Sequence, residues 1–153
     1  MIDAKQRKLI MDSEKEITVI ISEDDPGHAE LIREALEDSG IHNEILHFPD
    51  GQVTWEYLQE QSTRDPENNK HALLVLLDIN MPRMNGVEVL RNIKEHAKLK
   101  SIPVIMLTTT DDPREIEQCY ELGCNVYITK PVDYDRFSDT LKRLGLFMQI
   151  IKL

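Results

Sequence analysis

A chain of 153 residues, 41% hydrophobic and 30% charged, has the length and composition of one soluble domain with a sizeable core. Its formal net charge of −10 argues against nucleic acid or an anionic membrane surface as a partner, since both require clustered Lys and Arg. No apolar run approaches the ~20 residues needed to cross a bilayer. The opening residues M-I-D-A-K-Q-R-K lack the apolar core of a signal peptide, so a cytoplasmic protein is expected.

Residues 1–15 read as an N-terminal extension, mostly polar around Leu9, Ile10 and Met11, for which disorder and a short docking helix are both open. The domain proper is expected over 16–153. Ile17 to Ile21 is β-branched and predicts the first strand, which ends in three acids, Glu23, Asp24 and Asp25. Pro26 then opens a helix with Ala29, Leu31, Ile32, Ala35 and Leu36 at helical spacing, and Gly40 closes it. Glu44 to Phe48 predicts a second strand, and the turn Pro49-Asp50-Gly51 leads into a second helix carrying Val53, Trp55, Tyr57 and Leu58. Residues 62–71 form a polar, turn-rich loop.

Leu73 to Leu77 is an unbroken aliphatic run. A half-exposed strand would alternate, so the run predicts a central parallel strand covered on both faces. It stops on Asp78. The turn formers Asn80, Pro82, Asn85 and Gly86 follow, which puts the acid at the mouth of a loop. A third helix is expected from Gly86 to about Lys98 with Val87, Val89, Leu90 and Ile93 inward. Pro103 to Leu107 predicts the fourth strand, running into Thr108, Thr109 and Thr110. Asp111 or Asp112 caps a fourth helix that carries Ile116, Cys119 and Leu122 and stops at Gly123. Val126 to Thr129 is the fifth strand, followed by Lys130 and Pro131. Asp133 opens a last helix through Phe137, Leu141 and Leu144.

Leu146, Phe147, Met148, Ile150, Ile151 and Leu153 make the tail more apolar than one helical stripe requires. It either packs on the domain or forms a contact with a second copy; a homodimer is predicted. Cys119 and Cys124 are five apart, are expected on different helix faces, and read as reduced, partly buried thiols. Phe48, Trp55 and Tyr57 read as core or half-buried packing residues. The histidines, His28, His42, His47, His71 and His96, fall in different units with no ligand spacing, and His28, near the acidic cluster, has two readings, a border of the site or, favoured, a place on the surface.

The alternation of strand and helix predicts an α/β fold, a five-stranded parallel sheet with helices on both faces. Right-handed crossovers place all strand C-termini along one edge, where such sheets bind ligands. That edge collects Glu23, Asp24, Asp78, Thr108 and Lys130. Three close carboxylates are mutually unfavourable without a cation or proton, and an all-oxygen set favours Mg²⁺ or Mn²⁺. Lys130 supplies a charge and Thr108 a hydroxyl for a phosphate oxygen, and an Asp carboxylate is a competent nucleophile toward phosphorus.

With E-D-D after the first strand, D-I-N-M-P-x-M-N-G after the third, L-T-T after the fourth and T-K-P after the fifth, the chain resembles the receiver domain of two-component response regulators over about residues 17–144. The resemblance implies a flavodoxin-like doubly wound sheet of order 2-1-3-4-5 with five helices. It implies Asp78 as phosphoacceptor for a sensor histidine kinase or phosphotransfer protein. It implies Mg²⁺ held by Glu23, Asp24, Asp78 and the backbone carbonyl of Asn80. Thr108, the Thr109 N–H and Lys130 then contact the phosphoryl group, Tyr127 is the switch aromatic, and Lys130-Pro131 is a candidate cis bond. Receivers often carry Asp at the place of Glu23, which keeps the charge with a longer reach. The long loop 62–71 and the tail F-M-Q-I-I-K-L resemble the single-domain regulators that pair with bacterial phytochrome-type kinases.

The function implied is a phosphorylation-activated switch, not an enzyme. It signals by protein–protein contact through the fourth helix, fifth strand and fifth helix, and no DNA-binding domain follows. A Mg²⁺-dependent aspartyl phosphohydrolase is the alternative. It is disfavoured because Asn80 stands where haloacid-dehalogenase-type phosphatases place a general acid. A phosphorylation-independent scaffold is the third reading. Asn80 and Thr110 flank the path of an attacking water, and Thr110 has no carboxylate or amide to orient it, so an acyl phosphate lasting minutes or more is expected.

Overall fold

The computed structural model describes residues 2–6, 16–64 and 71–150. Five strands alternate with five helices: β1 (Glu16–Ser22), α1 (Pro26–Asp38), β2 (Ile45–Phe48), α2 (Gly51–Ser62), β3 (His71–Leu77), α3 (Gly86–Glu95), β4 (Val104–Thr108), α4 (Pro113–Leu122), β5 (Val126–Thr129) and α5 (Tyr134–Ile150). A further helical turn lies at 4–6. Every strand pairing is parallel and the order is β2-β1-β3-β4-β5, the doubly wound order expected. Most of the 1–15 extension, residues 65–70 of the polar loop and residues 151–153 of the tail lie outside the described residues.

Successive strand residues point to opposite faces, so the sheet carries two cores. Val19, Ile21, Leu74, Leu76, Ile105 and Leu107 meet α1 and α5 on one face. Ile20, Val75, Leu77, Val104 and Met106 meet α2, α3 and α4 on the other. This is why β3 reads as an unbroken aliphatic run: Leu74 to Leu77 are buried whichever way they point. Each such side chain contributes about 1.5–3 kcal/mol by leaving water.

Helix starts follow the sequence signals. Asp25, Asp50, Asn85 and Asp112 are the N-caps of α1 to α4, each accepting from backbone N–H groups of the first turn, with Pro26 and Pro113 in the first turns of α1 and α4. Asp133 does the same for α5, its Oδ1 accepting from the N–H groups of Asp135 and Arg136. Gly123, at φ 108°, ends α4 in the left-handed conformation that glycine enters without a Cβ penalty.

Several local expectations shift. β4 starts at Val104, since Pro103 has no N–H and serves the sheet only through its carbonyl, which accepts from Val75. β3 begins at His71, which pairs with Glu16, two residues earlier than the aliphatic run. α3 ends at Glu95, short of Lys98, because His96 leaves the helix with an extended backbone at ψ 125°. The buried face of α2 is Gly51, Thr54, Leu58 and Gln61, which leaves Val53, Trp55 and Tyr57 half-buried. Cys119 and Cys124 are free and buried, and they lie in one core, not on different faces. The left-handed turn at Gly123 folds the chain back, and the Cys124 N–H donates to the Cys119 carbonyl.

The tail divides. Met148 is buried against the α1 face, whereas Leu146 and Phe147 are 56% and 43% exposed. Gly145 lets α5 approach α1 closely, since a Cβ there would fall 2.4 Å from Ser39 Oγ. Among the described residues, no helix is long and apolar enough to cross a membrane.

Candidate functional site

Strand register assembles the site. Ser22 of β1 lies beside Leu77 of β3, and Thr108 of β4 beside Thr129 of β5. Glu23, Asp78 and Lys130 are therefore each the residue immediately past a strand end. Two backbone bonds continue the sheet into the site: the Asp78 N–H donates to Ser22 O at 3.0 Å and the Lys130 N–H to Thr108 O at 2.6 Å. Glu23, Asp78, Thr108 and Lys130 are all buried, and Asp24 is exposed at the rim.

Carboxylate oxygens of Glu23, Asp24 and Asp78 lie within 4.8 Å of one another, the cluster expected from the sequence. Lys130 Nζ reaches Glu23 Oε2 at 2.8 Å, His28 Nδ1 at 3.2 Å and Asp78 Oδ2 at 3.3 Å. Asp78 Oδ1 accepts from the Ile79 N–H at 2.7 Å, which turns the carboxylate toward the sheet edge.

Burial pushes the Glu23 carboxyl up to about 8, and its hydrogen bond with Asp78 adds to the rise against the opposing pull of Lys130. Burial also acts on Asp78, but hydrogen bonds from Glu23 and Thr108 and the Lys130 charge outweigh it and hold Asp78 below the usual carboxylate range. Two like charges this close share one proton. With Glu23 raised by burial and Asp78 held low, that proton sits on Glu23 below about pH 8 and Asp78 is the anion. The set fits a hard divalent cation, with three oxygen donors converging and one proton to be displaced.

The loop after Asp78 is fixed tightly. A Cβ at Gly86 would stand 2.0 Å from the Asp78 carbonyl oxygen and 2.9 Å from Ile79 Cα, so only glycine lets α3 begin there. Arg83 occupies the left-handed region at φ 67°, with its guanidinium 3.4 Å from Asp50 Oδ2. Beneath the loop, Ser22 Oγ lies 2.6 Å from Thr54 Oγ1 and 3.2 Å from Met81 Sδ. Asn80 Nδ2 donates to Thr110 Oγ1 at 3.2 Å, joining this loop to the one after β4.

Not every anticipated residue converges. Thr109 is exposed just past β4. Tyr127 donates its hydroxyl proton to the Thr110 carbonyl at 2.6 Å, and burial raises its pKa, so it is a neutral tie on the β4–α4 loop. The Lys130–Pro131 bond is trans, correcting the cis expectation; among the described residues no peptide bond is cis. Trans is the lower form of an X–Pro amide by about 0.5–1 kcal/mol. The contacts that hold Lys130 are made by its own N–H and Nζ, and none depends on the isomer of the next bond.

His28 takes the less favoured of its two readings and borders the site. It is only partly exposed, lies in the first turn of α1 and touches Lys130. The available signal was its place four residues after Asp24, in the turn of α1 that faces the strand edge. His47 was missed; its Nε2 lies 2.7 Å from the Glu23 carbonyl oxygen.

The model of the response regulator receiver domain matches residues 19–142. Response regulator Rcp1 of Synechocystis is 38% identical over 73% of this chain and 75% of its own length. A solved Mn²⁺-bound form of Rcp1 superposes with a TM-score of 0.75 at 31% identity, covering 85% of this chain and 92% of that one. A receiver domain from Rhodospirillum rubrum gives a TM-score of 0.80 at 45% identity over 87% of this chain and 94% of that one. The phosphorylated cyanobacterial phytochrome response regulator RcpA gives 0.76 at 32% identity, over 88% and 94%.

Proposed function

This chain belongs to the response regulator receiver domain family, and on that premise we propose that Asp78 accepts a phosphoryl group from a histidine kinase or phosphotransfer protein. The observation that carries the reading is an ionised Asp78 whose Oδ2 lies 3.3 Å from Lys130 Nζ at a strand-end acidic cluster. An Asp78 carboxylate oxygen attacks phosphorus, the bond from phosphorus to the donor imidazole nitrogen breaks, and the imidazole leaves with that electron pair. Lys130 offsets charge on the phosphoryl oxygens, with the Thr108 hydroxyl and the Thr109 N–H as further donors. Glu23, Asp24, Asp78 and the Asn80 carbonyl would hold Mg²⁺, or Mn²⁺ in its place. When bound, that cation supplies charge neutralisation at the phosphoryl oxygens.

Phosphorylation draws Thr108 toward the new group, and Tyr127, tied to Thr110 in the same loop, changes position with it. The output is protein contact on the face of α4, β5 and α5, in the cytoplasm and without nucleic acid. The exposed Leu146 and Phe147 contribute to a homodimer of the phosphorylated form. Relatives named for phytochrome signalling support a phytochrome-type kinase as donor. Incubation with an autophosphorylated kinase of that type tests the reading: label moves to the wild type and not to Asp78→Asn. Transfer to both, or to neither under conditions in which the kinase loads another receiver, would defeat it.

A further inference from the structure

We infer that His28 is a positioning residue of this site, an acceptor that keeps the Lys130 ammonium aimed beside Asp78 when both carboxylates are engaged elsewhere; the inference rests on the reading of Asp78 as phosphoacceptor. An ammonium has three donors and no acceptor. Those of Lys130 meet Glu23 Oε2 at 2.8 Å, His28 Nδ1 at 3.2 Å and Asp78 Oδ2 at 3.3 Å. Because Lys can only donate, Nδ1 faces it with a bare lone pair. The nearby Glu23 Oε1 and Asp25 Oδ2, at 3.4 and 3.8 Å from the same nitrogen, then receive no proton from it.

Two of the three acceptors are carboxylates that the chemistry itself claims, Asp78 for phosphorus and Glu23 for the cation. A hard cation prefers the oxygen set, which leaves the imidazole nitrogen with Lys130. Without it, a buried ammonium would lose its fixed partners at the moment its direction matters.

His28 is itself held. Its backbone N–H donates to Asp25 Oδ1 at 3.1 Å, and its ring stands edge-on to Phe137 of α5, with centroids 5.6 Å apart at 62°. Phe137 is buried in the core between α1 and the sheet. The Lys130 direction is thereby set by α1 and α5, two elements that contribute no ligand to the phosphoryl group.

The test compares His28→Asn with His28→Leu, near-isosteric side chains of which only Asn has an acceptor. Phosphorylation by acetyl phosphate in saturating Mg²⁺ is followed by intact mass across donor concentrations, separating the saturating rate from the half-saturating concentration. Mg²⁺ affinity is measured by calorimetry on the same proteins. The expected result is a saturating rate about tenfold lower in His28→Leu and within about threefold of wild type in His28→Asn, from the loss of one charge-assisted hydrogen bond. Mg²⁺ affinity should stay within about twofold in both. His28→Phe, which keeps the ring against Phe137, should be as slow as His28→Leu. Equal rates in the Asn and Leu variants, or a wild-type rate in His28→Phe, would overturn the inference while leaving Asp78 as acceptor. No adduct on the wild type would overturn the phosphoacceptor reading and the inference with it.

Discussion

The proton on Glu23 makes metal binding a pH-dependent event. With the Glu23 carboxyl pushed up to about 8 in the metal-free site, a cation must displace that proton to use the carboxylate. The apparent affinity is reduced by the factor 1 + 10^(8 − pH), which is about 2 at pH 8, about 11 at pH 7 and about 100 at pH 6. The dissociation constant for Mg²⁺ should therefore fall about fifty-fold from pH 6 to pH 8 and level off above pH 9. About one proton should be released per ion near pH 7. Calorimetry in buffers of different ionisation enthalpy reads both quantities. The metal-free protein carries the matching sign in its stability. Folding raises the Glu23 value from 4.5, so that contribution is present in full below pH 4.5 and is lost as pH rises through 8. Melting temperature in chelator should therefore decline from pH 6 to pH 9. Asp78, held low, acts in the opposite sense but at more acidic pH, outside this window. A Mg²⁺ dissociation constant that varies less than about threefold between pH 6 and pH 8 would refute the shared-proton account.

Lys130→Met leaves the buried carboxylate pair without its ammonium, and phosphorylation by a small donor should fall by about two orders of magnitude while Mg²⁺ still binds; a rate within about threefold of wild type would count against Lys130 as the phosphoryl contact. Gly86→Ala forces a Cβ against the Asp78 carbonyl, so denaturant titration should show a loss of about 1–3 kcal/mol and Mg²⁺ should bind more weakly, whereas unchanged affinity would mean the loop absorbs the methyl. Leu146→Ser with Phe147→Ser removes two exposed apolar groups and spares the buried Met148. Light scattering should then find a monomer after phosphorylation where the wild type is expected to give a dimer, and two equal masses would remove the tail from the interface. The acyl phosphate should last minutes or more, since Thr110 offers water only a hydroxyl that already accepts from Asn80; decay within seconds in Mg²⁺ would contradict that.

The strand ends were legible in the sequence because each is marked by a change of chemistry, aliphatic to acid at Asp78, β-branched to acid at Glu23 and Thr to Lys at Lys130. Sheet register then brings these positions to one edge without any long-range knowledge. Contacts that depend on which way a helix turn faces were not legible. The sequence leaves His28 between the surface and the border of the site, and the start of α1 beside Lys130 decides for the border. The Cys119–Cys124 pair looked divided because helical spacing was carried past Gly123, where the chain reverses. Ser22, Thr54 and Met81 form a buried polar link under the loop after Asp78 that no short motif announces.

Intact-protein mass after incubation with acetyl phosphate and Mg²⁺, for wild type beside Asp78→Asn, tests the central claim most directly. The account predicts a single added phosphoryl group on the wild type, lost in chelator-treated samples and missing from Asp78→Asn. An adduct that persists in Asp78→Asn, or none on a wild type that demonstrably binds Mg²⁺, would contradict it.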